Sequence, residues 1–324
     1  MEQYSVYRDI QARTGGEIYL GVVGPVRTGK STFIKRFMEQ MVLPGITDEH
    51  QKNRTRDELP QSAAGKTIMT TEPKFVPKEA ARIDLGEDTA VKVRLVDCVG
   101  FMTEGASGHM ENEKERLVKT PWFEESIPFT MAAEIGTRKV IRDHSTIGLV
   151  ITTDGSFGEL ERQAYIKPEE TAVRELQEIG KPFLVLLNSS RPYSEETRNL
   201  ARELETKYGV CVMPVNCEQL KTGDIYQILK QVLFEFPVTE VDFQIPKWLE
   251  ILPASHWLKQ QAVKAARNAM SHIRRMKDLK DSWKDEEAEA VSSMETGRMN
   301  LSDGKVMVRM LFEDGYYYQI LSDF

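Results

Sequence analysis

The sequence has little that would tie it to nucleic acid, a membrane or an oxidising compartment. Its three cysteines, Cys98, Cys211 and Cys217, are an odd number without metal-ligand spacing, which fits a reducing interior. Acidic residues outnumber basic ones by 50 to 43, so the net charge of -7 argues against dominant contact with a nucleic-acid backbone. No apolar run approaches the roughly 18 residues that could span a bilayer, and the first residues lack a signal-peptide pattern. We therefore expect a cytoplasmic protein without a nucleic-acid partner.

What the sequence does contain is an alternation of short apolar runs with helical periods. Near-continuous apolar runs are typical of parallel strands that are covered on both faces, and helix candidates lie between them. Strands are predicted over 17–23, 92–97, 146–153, 182–189 and 210–216, and helices over 31–43, 128–143, 168–179, 194–207 and 222–235. This alternation predicts a doubly wound α/β fold.

Two further features refine the predicted organisation. Residues 72–97 hold two strand-like runs joined by LGEDT, which is too short for a crossover helix and therefore predicts an antiparallel edge strand. After Pro237 the character of the chain changes, so we predict one domain over 1–238 and a smaller α+β domain over 239–324. The second domain is expected to contain a long helical stretch over 255–285 and an extended pair around KVMVRMLF.

Residues 24–31, GPVRTGKS, satisfy the phosphate-loop pattern G-x-x-x-x-G-K-[ST] between a predicted strand and a predicted helix. Gly24 and Gly29 allow backbone N–H groups to turn toward the phosphates. Lys30 supplies a point charge to the β and γ phosphates, and the Ser31 hydroxyl is placed to ligate Mg²⁺. The other loop residues expected to contact the nucleotide are Arg27, Thr28 and Thr32. A turn without a ligand is the alternative, which the agreement of pattern and context disfavours.

A carboxylate for the magnesium shell is predicted at the end of a neighbouring strand. Asp97 follows an apolar run and Gly100 completes D-x-x-G, whose glycine N–H can approach a γ-phosphate closely. A strand-end aspartate capping a turn is the alternative. Thr70 and Thr71 lie where switch proteins place a threonine that senses Mg²⁺ and the γ-phosphate, and the sequence does not choose between them. Phe101 stands where a water-orienting glutamine is usual, which predicts slow hydrolysis or completion by another subunit.

The segment that would read the base differs from the guanine-specific N-K-x-D pattern. Asn188 is present, but Ser189 replaces the lysine and Arg191 replaces the aspartate. A cationic donor cannot accept the guanine N1–H and amine protons, so adenine is the better prediction. Asp154, at the predicted sheet edge, is either functional or part of an Asp-Gly turn.

Four segments together resemble the stage IV sporulation protein A family of spore-coat morphogenetic ATPases. They are GEIYLGVVGPVRTGKSTFIKRFME, DELPQSAAGKTIMTTEPKFVP, VRLVDCVG and AAEIGTRKVIRDHSTIGLVITTDG. The resemblance implies a P-loop NTPase of translation-factor GTPase-like type that uses ATP and Mg²⁺. It places the family's loop lysine on Lys30, its sensor threonines on Thr70 and Thr71, and its metal-side aspartate on Asp97.

The same resemblance implies a biological setting. Family members hydrolyse ATP to assemble into static filaments on the outer surface of the forespore, in the mother-cell cytoplasm, as the platform for the spore coat. The implied partners are other copies of the chain, coat morphogenetic proteins and a small amphipathic membrane peptide. Family members are longer, and we expect this sequence to lack the C-terminal region that docks on that peptide.

Two alternative functions stay open, namely a regulatory translation-factor-like GTPase and a nucleotide-binding scaffold without turnover. The basic stretch over 259–280 carries seven basic residues and one acidic residue. It is either a helix for an anionic membrane or, as we favour, a solvated helix face. The packed side of that helix is predicted to comprise Trp257, Leu258, Ala262 and Met270.

Overall fold

The computed structural model describes residues 17–60, 72–84, 90–106, 110–111, 114–158, 160–280, 290–300 and 304–323. The chain divides into two compact units, Met1–Val232 and Leu233–Phe324. Among the described residues, no helix is both long enough and apolar enough to cross a membrane.

The larger unit contains strands of very different lengths. In chain order they are β1 (Glu17–Val23), β2 (Lys74–Asp84), β3 (Ala90–Asp97), β4 (Met110–Glu111), β5 (Lys114–Glu115), β6 (Leu117–Thr120), β7 (Phe123–Pro128), β8 (Ile147–Thr153), β9 (Phe183–Asn188) and β10 (Val212–Val215). The helices of this unit are α1 (Lys30–Phe37), α2 (Glu49–Asp57), α3 (Phe129–Lys139), α4 (Arg162–Glu178), α5 (Glu195–Tyr208) and α6 (Thr222–Phe234), whose last residues cross the division between the units.

A six-stranded sheet in the order β10-β9-β8-β1-β3-β2 forms the centre of this unit. Its strands pair in parallel except β2, which pairs antiparallel to β3, so the prediction from the short LGEDT link is confirmed. Every residue of β8 and β9 is buried, as a sheet covered on both faces requires. Val22 pairs with Asp97 and Thr153 with Asn188, so the carboxyl ends of four neighbouring strands meet at one edge.

Helix α1 packs through Phe33, Ile34 and Phe37, all essentially inaccessible to solvent. Met41 would continue this apolar side four residues after Phe37, but it is only half-buried. A π-helical turn over Met38–Val42 continues α1, and its different residue period moves Met41 away from the buried side.

Helix α4 begins at Arg162 rather than at 168, with Pro168 inside it. The Arg162 guanidinium donates to both carboxylate oxygens of the fully buried Glu169, and Tyr165 is buried in the same turns. These contacts stabilise the first turns despite the N–H that proline lacks.

Helix α2 and the hairpins β4–β5 and β6–β7 were not predicted, because short elements with exposed polar positions carry little hydrophobic periodicity.

The smaller unit contains a three-stranded sheet in the order β11-β13-β12. Its strands are β11 (Glu240–Gln244), β12 (Val291–Asn300) and β13 (Lys305–Phe312), and its helices are α7 (Lys247–Glu250), α8 (Trp257–His272) and α9 (Asp314–Asp323). The antiparallel pairing of β12 with β13 is the extended pair that the sequence predicted.

Helix α8 ends at His272, well before the predicted 285. The backbone becomes extended at Ile273, and Arg275 then forms a bridge with Pro237. Arg275 and Lys277 donate to the buried carboxylate of Glu235 at 2.7 and 2.9 Å. Because these tertiary contacts need an extended segment, they override the local helical preference.

The packed side of α8 also differs from the prediction. Leu258 and Ala262 are buried as expected, but Trp257 and Met270 are 46% and 41% exposed. The buried side is completed by the small residues Ala265 and Ala269. Alanines allow close packing, so the large side chains lie at the solvent boundary instead.

Candidate nucleotide-binding site

The loop after β1 follows a path that requires glycine. Gly24 has a φ of 126°, and a Cβ atom there would lie 2.4 Å from the Ile151 carbonyl oxygen of β8. The exposed Arg27 also has a left-handed backbone, with a φ of 65°. Gly29 then precedes α1, whose first turn contains the half-buried Ser31 and Thr32. The loop therefore ends with backbone N–H groups at a helix N-terminus, as phosphate binding requires.

Backbone hydrogen bonds join this loop to the segment after β3. The Phe101 N–H donates to the Gly24 carbonyl at 3.0 Å, and the Val26 N–H donates to the Phe101 carbonyl at 2.9 Å. Within the loop, the buried Thr28 hydroxyl donates to the Pro25 carbonyl at 3.0 Å. The D-x-x-G segment is thus held directly against the phosphate loop.

Lys30 is buried, with only 5% of its surface exposed. Its ammonium donates to the carbonyls of Gly24, at 3.4 Å, and Pro25, at 2.5 Å. Burial lowers the pKa of Lys30, while the neighbouring Cys98 and Asp97 act in the opposite direction. A cation held on carbonyl oxygens inside a loop can turn to an anionic ligand without first losing a shell of water.

Asp97 lies beside this cation at the end of β3. Burial raises the pKa of Asp97 from 3.8 to about 6, although the Lys30 charge opposes the shift. Its Oδ1 atom is buried and has no hydrogen-bond partner within the described part of the chain. An orphaned carboxylate oxygen at the end of β3 fits a Mg²⁺ ion that takes its other ligands from a hydroxyl, phosphate and water. The described residues contain no cluster of three or more His, Cys, Asp or Glu that could hold a metal.

Gly100 completes the contact between the two loops. It has a φ of 101°, and a Cβ atom there would lie 2.5 Å from the Lys30 ammonium nitrogen. Its N–H donates at 3.1 Å to the hydroxyl of Thr137, a fully buried residue of α3. Sequence reasoning missed Thr137, since a threonine within a helix carries no signal of a contact 37 residues away.

Asn188, which was predicted to contact the nucleotide, supports the loop. Its side-chain amide donates to the Thr28 carbonyl at 3.0 Å, and its side-chain oxygen accepts from the Cys217 N–H at 3.0 Å. The residue therefore ties the ends of β9 and β10 to the phosphate loop.

The remaining predicted positions have different environments. Arg191 is exposed. Asp154 accepts from the Ser156 N–H and hydroxyl and from the Thr197 hydroxyl, as in the Asp-Gly turn interpretation. Burial alone would raise the pKa of Asp154, but the hydrogen bonds outweigh it and the pKa is lowered. Thr70 and Thr71 lie outside the described residues.

Comparison with known proteins identifies the family. Residues 1–237 match the family model described as stage IV sporulation protein A, ATPase domain, and residues 238–324 match the middle domain of the same family. The chain belongs to the stage IV sporulation protein A family. It therefore carries the ATPase domain of a sporulation protein family, on an α/β fold of P-loop NTPase type.

Curated members of the stage IV sporulation protein A family are similar over almost the whole chain. The protein of that name from Bacillus anthracis is 47% identical over 324 residues, and that from Bacillus subtilis is 46% identical over the same length. The Clostridioides difficile protein is 46% identical over 320 residues, which is 98% of this chain. The chain spans 65 to 66% of the length of these relatives.

Replacing Asp97 should reveal the cost of its buried charge. The pKa of Asp97 is about 6 in the folded protein and 3.8 in the unfolded chain. The free energy of unfolding therefore falls as the pH rises from 3.8 to about 6. Asp97→Asn cannot ionise, and it should therefore be more stable than the parent by on the order of 2 kcal/mol above pH 7. Urea unfolding between pH 4 and 8 measures this difference, which should shrink below pH 6.

Asp57→Asn, which removes an exposed carboxylate, is the control for the loss of one acidic group. An Asp97→Asn effect that is the same at every pH would contradict the raised pKa.

Proposed function

We propose that this chain binds ATP with Mg²⁺ and hydrolyses it slowly to ADP and phosphate. The observation that carries the proposal is the buried Lys30 ammonium, held between the phosphate loop and the D-x-x-G segment beside an orphaned carboxylate oxygen of Asp97. A structural turn does not need a buried cation next to an unpaired buried acceptor, whereas a triphosphate site uses both.

Each residue then has a defined part in the proposed reaction. Lys30 leaves the loop carbonyls for the β and γ phosphates and offsets the charge that develops there. Ser31 and Asp97 would hold Mg²⁺, which neutralises phosphate charge when bound. Thr70 and Thr71 are the proposed sensors of the γ-phosphate.

The slow turnover is proposed on the ground of the residue that follows the D-x-x-G segment. Phe101 occupies the usual glutamine position, its side chain is buried, and its backbone is engaged with the phosphate loop. It offers no group to orient the water, so we infer few turnovers per assembly event. The parallel sheet with one antiparallel edge supports a translation-factor GTPase-like type for the domain.

The substrate is proposed to be ATP rather than GTP. Asn188 is occupied by the loop, and the exposed Arg191 replaces in the sequence the aspartate by which the guanine-specific pattern accepts from the base. Adenine does not require that acceptor.

Its biological role is proposed to be nucleotide-driven self-assembly at the forespore outer surface, as a basement layer for the spore coat. The family's sporulation name and ATPase domain support this role. The proposed partners are other copies of the chain and coat morphogenetic proteins. A small amphipathic membrane peptide is a further proposed partner, through the part of the relatives' length that this chain does not match.

Removing the loop cation tests hydrolysis. Lys30→Ala should reduce phosphate release by at least about a hundredfold, because a preorganised charge at the transferring phosphoryl group contributes several kcal/mol. Lys35→Ala, which removes a half-exposed lysine of the same helix, should leave the rate unchanged. Equal rates for the parent and Lys30→Ala would argue against hydrolysis at this loop, and ATP binding without turnover in the parent would favour the scaffold alternative.

Base choice is tested by competition. A fluorescent ATP analogue bound to the chain should be displaced by unlabelled ATP at a concentration at least about tenfold lower than by GTP, since guanine leaves its N1–H and amine without an acceptor. Preferential displacement by GTP would instead support the regulatory GTPase alternative.

Assembly is tested by sedimentation. The parent should pellet with Mg²⁺ and ATP but not with ADP, and Lys30→Ala should stay in the supernatant with either nucleotide. A pellet that forms equally without nucleotide would contradict ATP-driven assembly.

A further inference from the structure

Thr137 of α3 holds the backbone N–H of Gly100, the last residue of the D-x-x-G segment. The hydroxyl of Thr137 accepts from the Gly100 N–H at 3.1 Å and donates to the Ala133 carbonyl at 2.8 Å. Its single hydrogen is used within α3, so a lone pair is left to accept from Gly100. Thr137 is fully buried, so water does not compete for this hydrogen bond.

The Gly100 peptide lies beside the cation that defines the phosphate position. A Cβ atom on Gly100 would come within 2.5 Å of the Lys30 ammonium nitrogen and 2.3 Å of the Gly24 carbonyl. Only a residue without a side chain permits this approach, and it brings the Gly100 backbone next to Lys30, whose ammonium is expected to bind the γ-phosphate. One N–H hydrogen cannot make two full hydrogen bonds, so Thr137 and the γ-phosphate compete for it.

We infer that Thr137 is a positioning residue that sets the discrimination between ATP and ADP. It holds the Gly100 N–H when no γ-phosphate is present and releases it when ATP binds. This inference rests on the proposed function of the site. ATP binding must break the Gly100–Thr137 hydrogen bond before the γ-phosphate can accept from Gly100. The free energy of breaking that bond weakens ATP binding relative to ADP binding.

Helix α3 connects this hydrogen bond to other parts of the domain. At its start, the Phe129 N–H donates to the Arg116 carbonyl at 2.8 Å, and the Thr130 N–H donates to the Glu115 carboxylate at 2.9 Å. Near its end, Arg138 donates to Glu175 of α4 at 2.9 Å. Release of Gly100 therefore frees one of the contacts that hold α3 in place, and α3 directly follows the hairpin β6–β7 in the chain.

The test compares nucleotide affinities of Thr137→Val with those of the parent. Valine keeps the shape but cannot accept, so with ADP the Gly100 N–H loses its Thr137 acceptor, and the γ-phosphate supplies an acceptor when ATP binds. The ratio of the Kd for ADP to the Kd for a non-hydrolysable ATP analogue, measured by calorimetry with Mg²⁺, should rise about two- to tenfold. Thr137→Ser keeps the hydroxyl and should retain the parent ratio.

Thr206→Val is the control for loss of a helix threonine hydroxyl, because the exposed Thr206 also donates to a carbonyl one turn earlier, at 2.9 Å, but lies on α5. Its ratio should equal that of the parent. If the role of Thr137 is purely structural, Thr137→Val weakens the binding of both nucleotides equally. An unchanged or lower Kd ratio in Thr137→Val, with ATP binding retained, overturns the inference. A parent that binds neither nucleotide overturns the proposed function, and this inference with it.

If Thr137→Val fails to fold, amide hydrogen exchange of the parent protein tests the inference instead. Amides of α3 should exchange faster with the ATP analogue than with ADP, because the helix loses its bond to Gly100. Equal exchange in the two states overturns the inference.

Discussion

The site depends on two backbone hydrogen bonds that join the phosphate loop to the segment after β3. Because Phe101 donates to Gly24 and accepts from Val26, the two loops cannot separate without leaving buried backbone groups unpaired. Parallel pairing of β1 with β3 brings these segments to the same edge of the sheet. The strand pairing and the two hydrogen bonds together fix the positions of the Lys30 ammonium and the Asp97 carboxylate.

Burial makes this pair of charges unfavourable for folding and useful for binding. Lys30 is held by carbonyl oxygens of its own loop, whereas one oxygen of Asp97 is unpartnered within the described residues. Each group would gain more from a ligand than from its present surroundings, since an unpaired polar atom is costly away from water. Such a local conflict with stability is typical of functional sites.

Support for the loops comes from elements remote in sequence. Asn188 ties the loop to β9 and to the Cys217 backbone, and Thr137 ties the D-x-x-G segment to α3. These residues contact loop backbone, so they would influence a bound nucleotide through the shape of the site. Such backbone contacts would couple the helix positions to the occupancy of the site.

By itself, the sequence determined the phosphate loop, the buried parallel strands and the antiparallel edge, because glycine spacing, apolar runs and a short link act through nearby residues. Several features depended on the tertiary structure alone. The end of α8 at His272 follows from the pairing of Arg275 and Lys277 with the distant Glu235, and the role of Thr137 follows from a contact across 37 positions. Local patterns cannot encode such contacts, since they arise only when the folded chain brings distant residues together and their burial outweighs local preference.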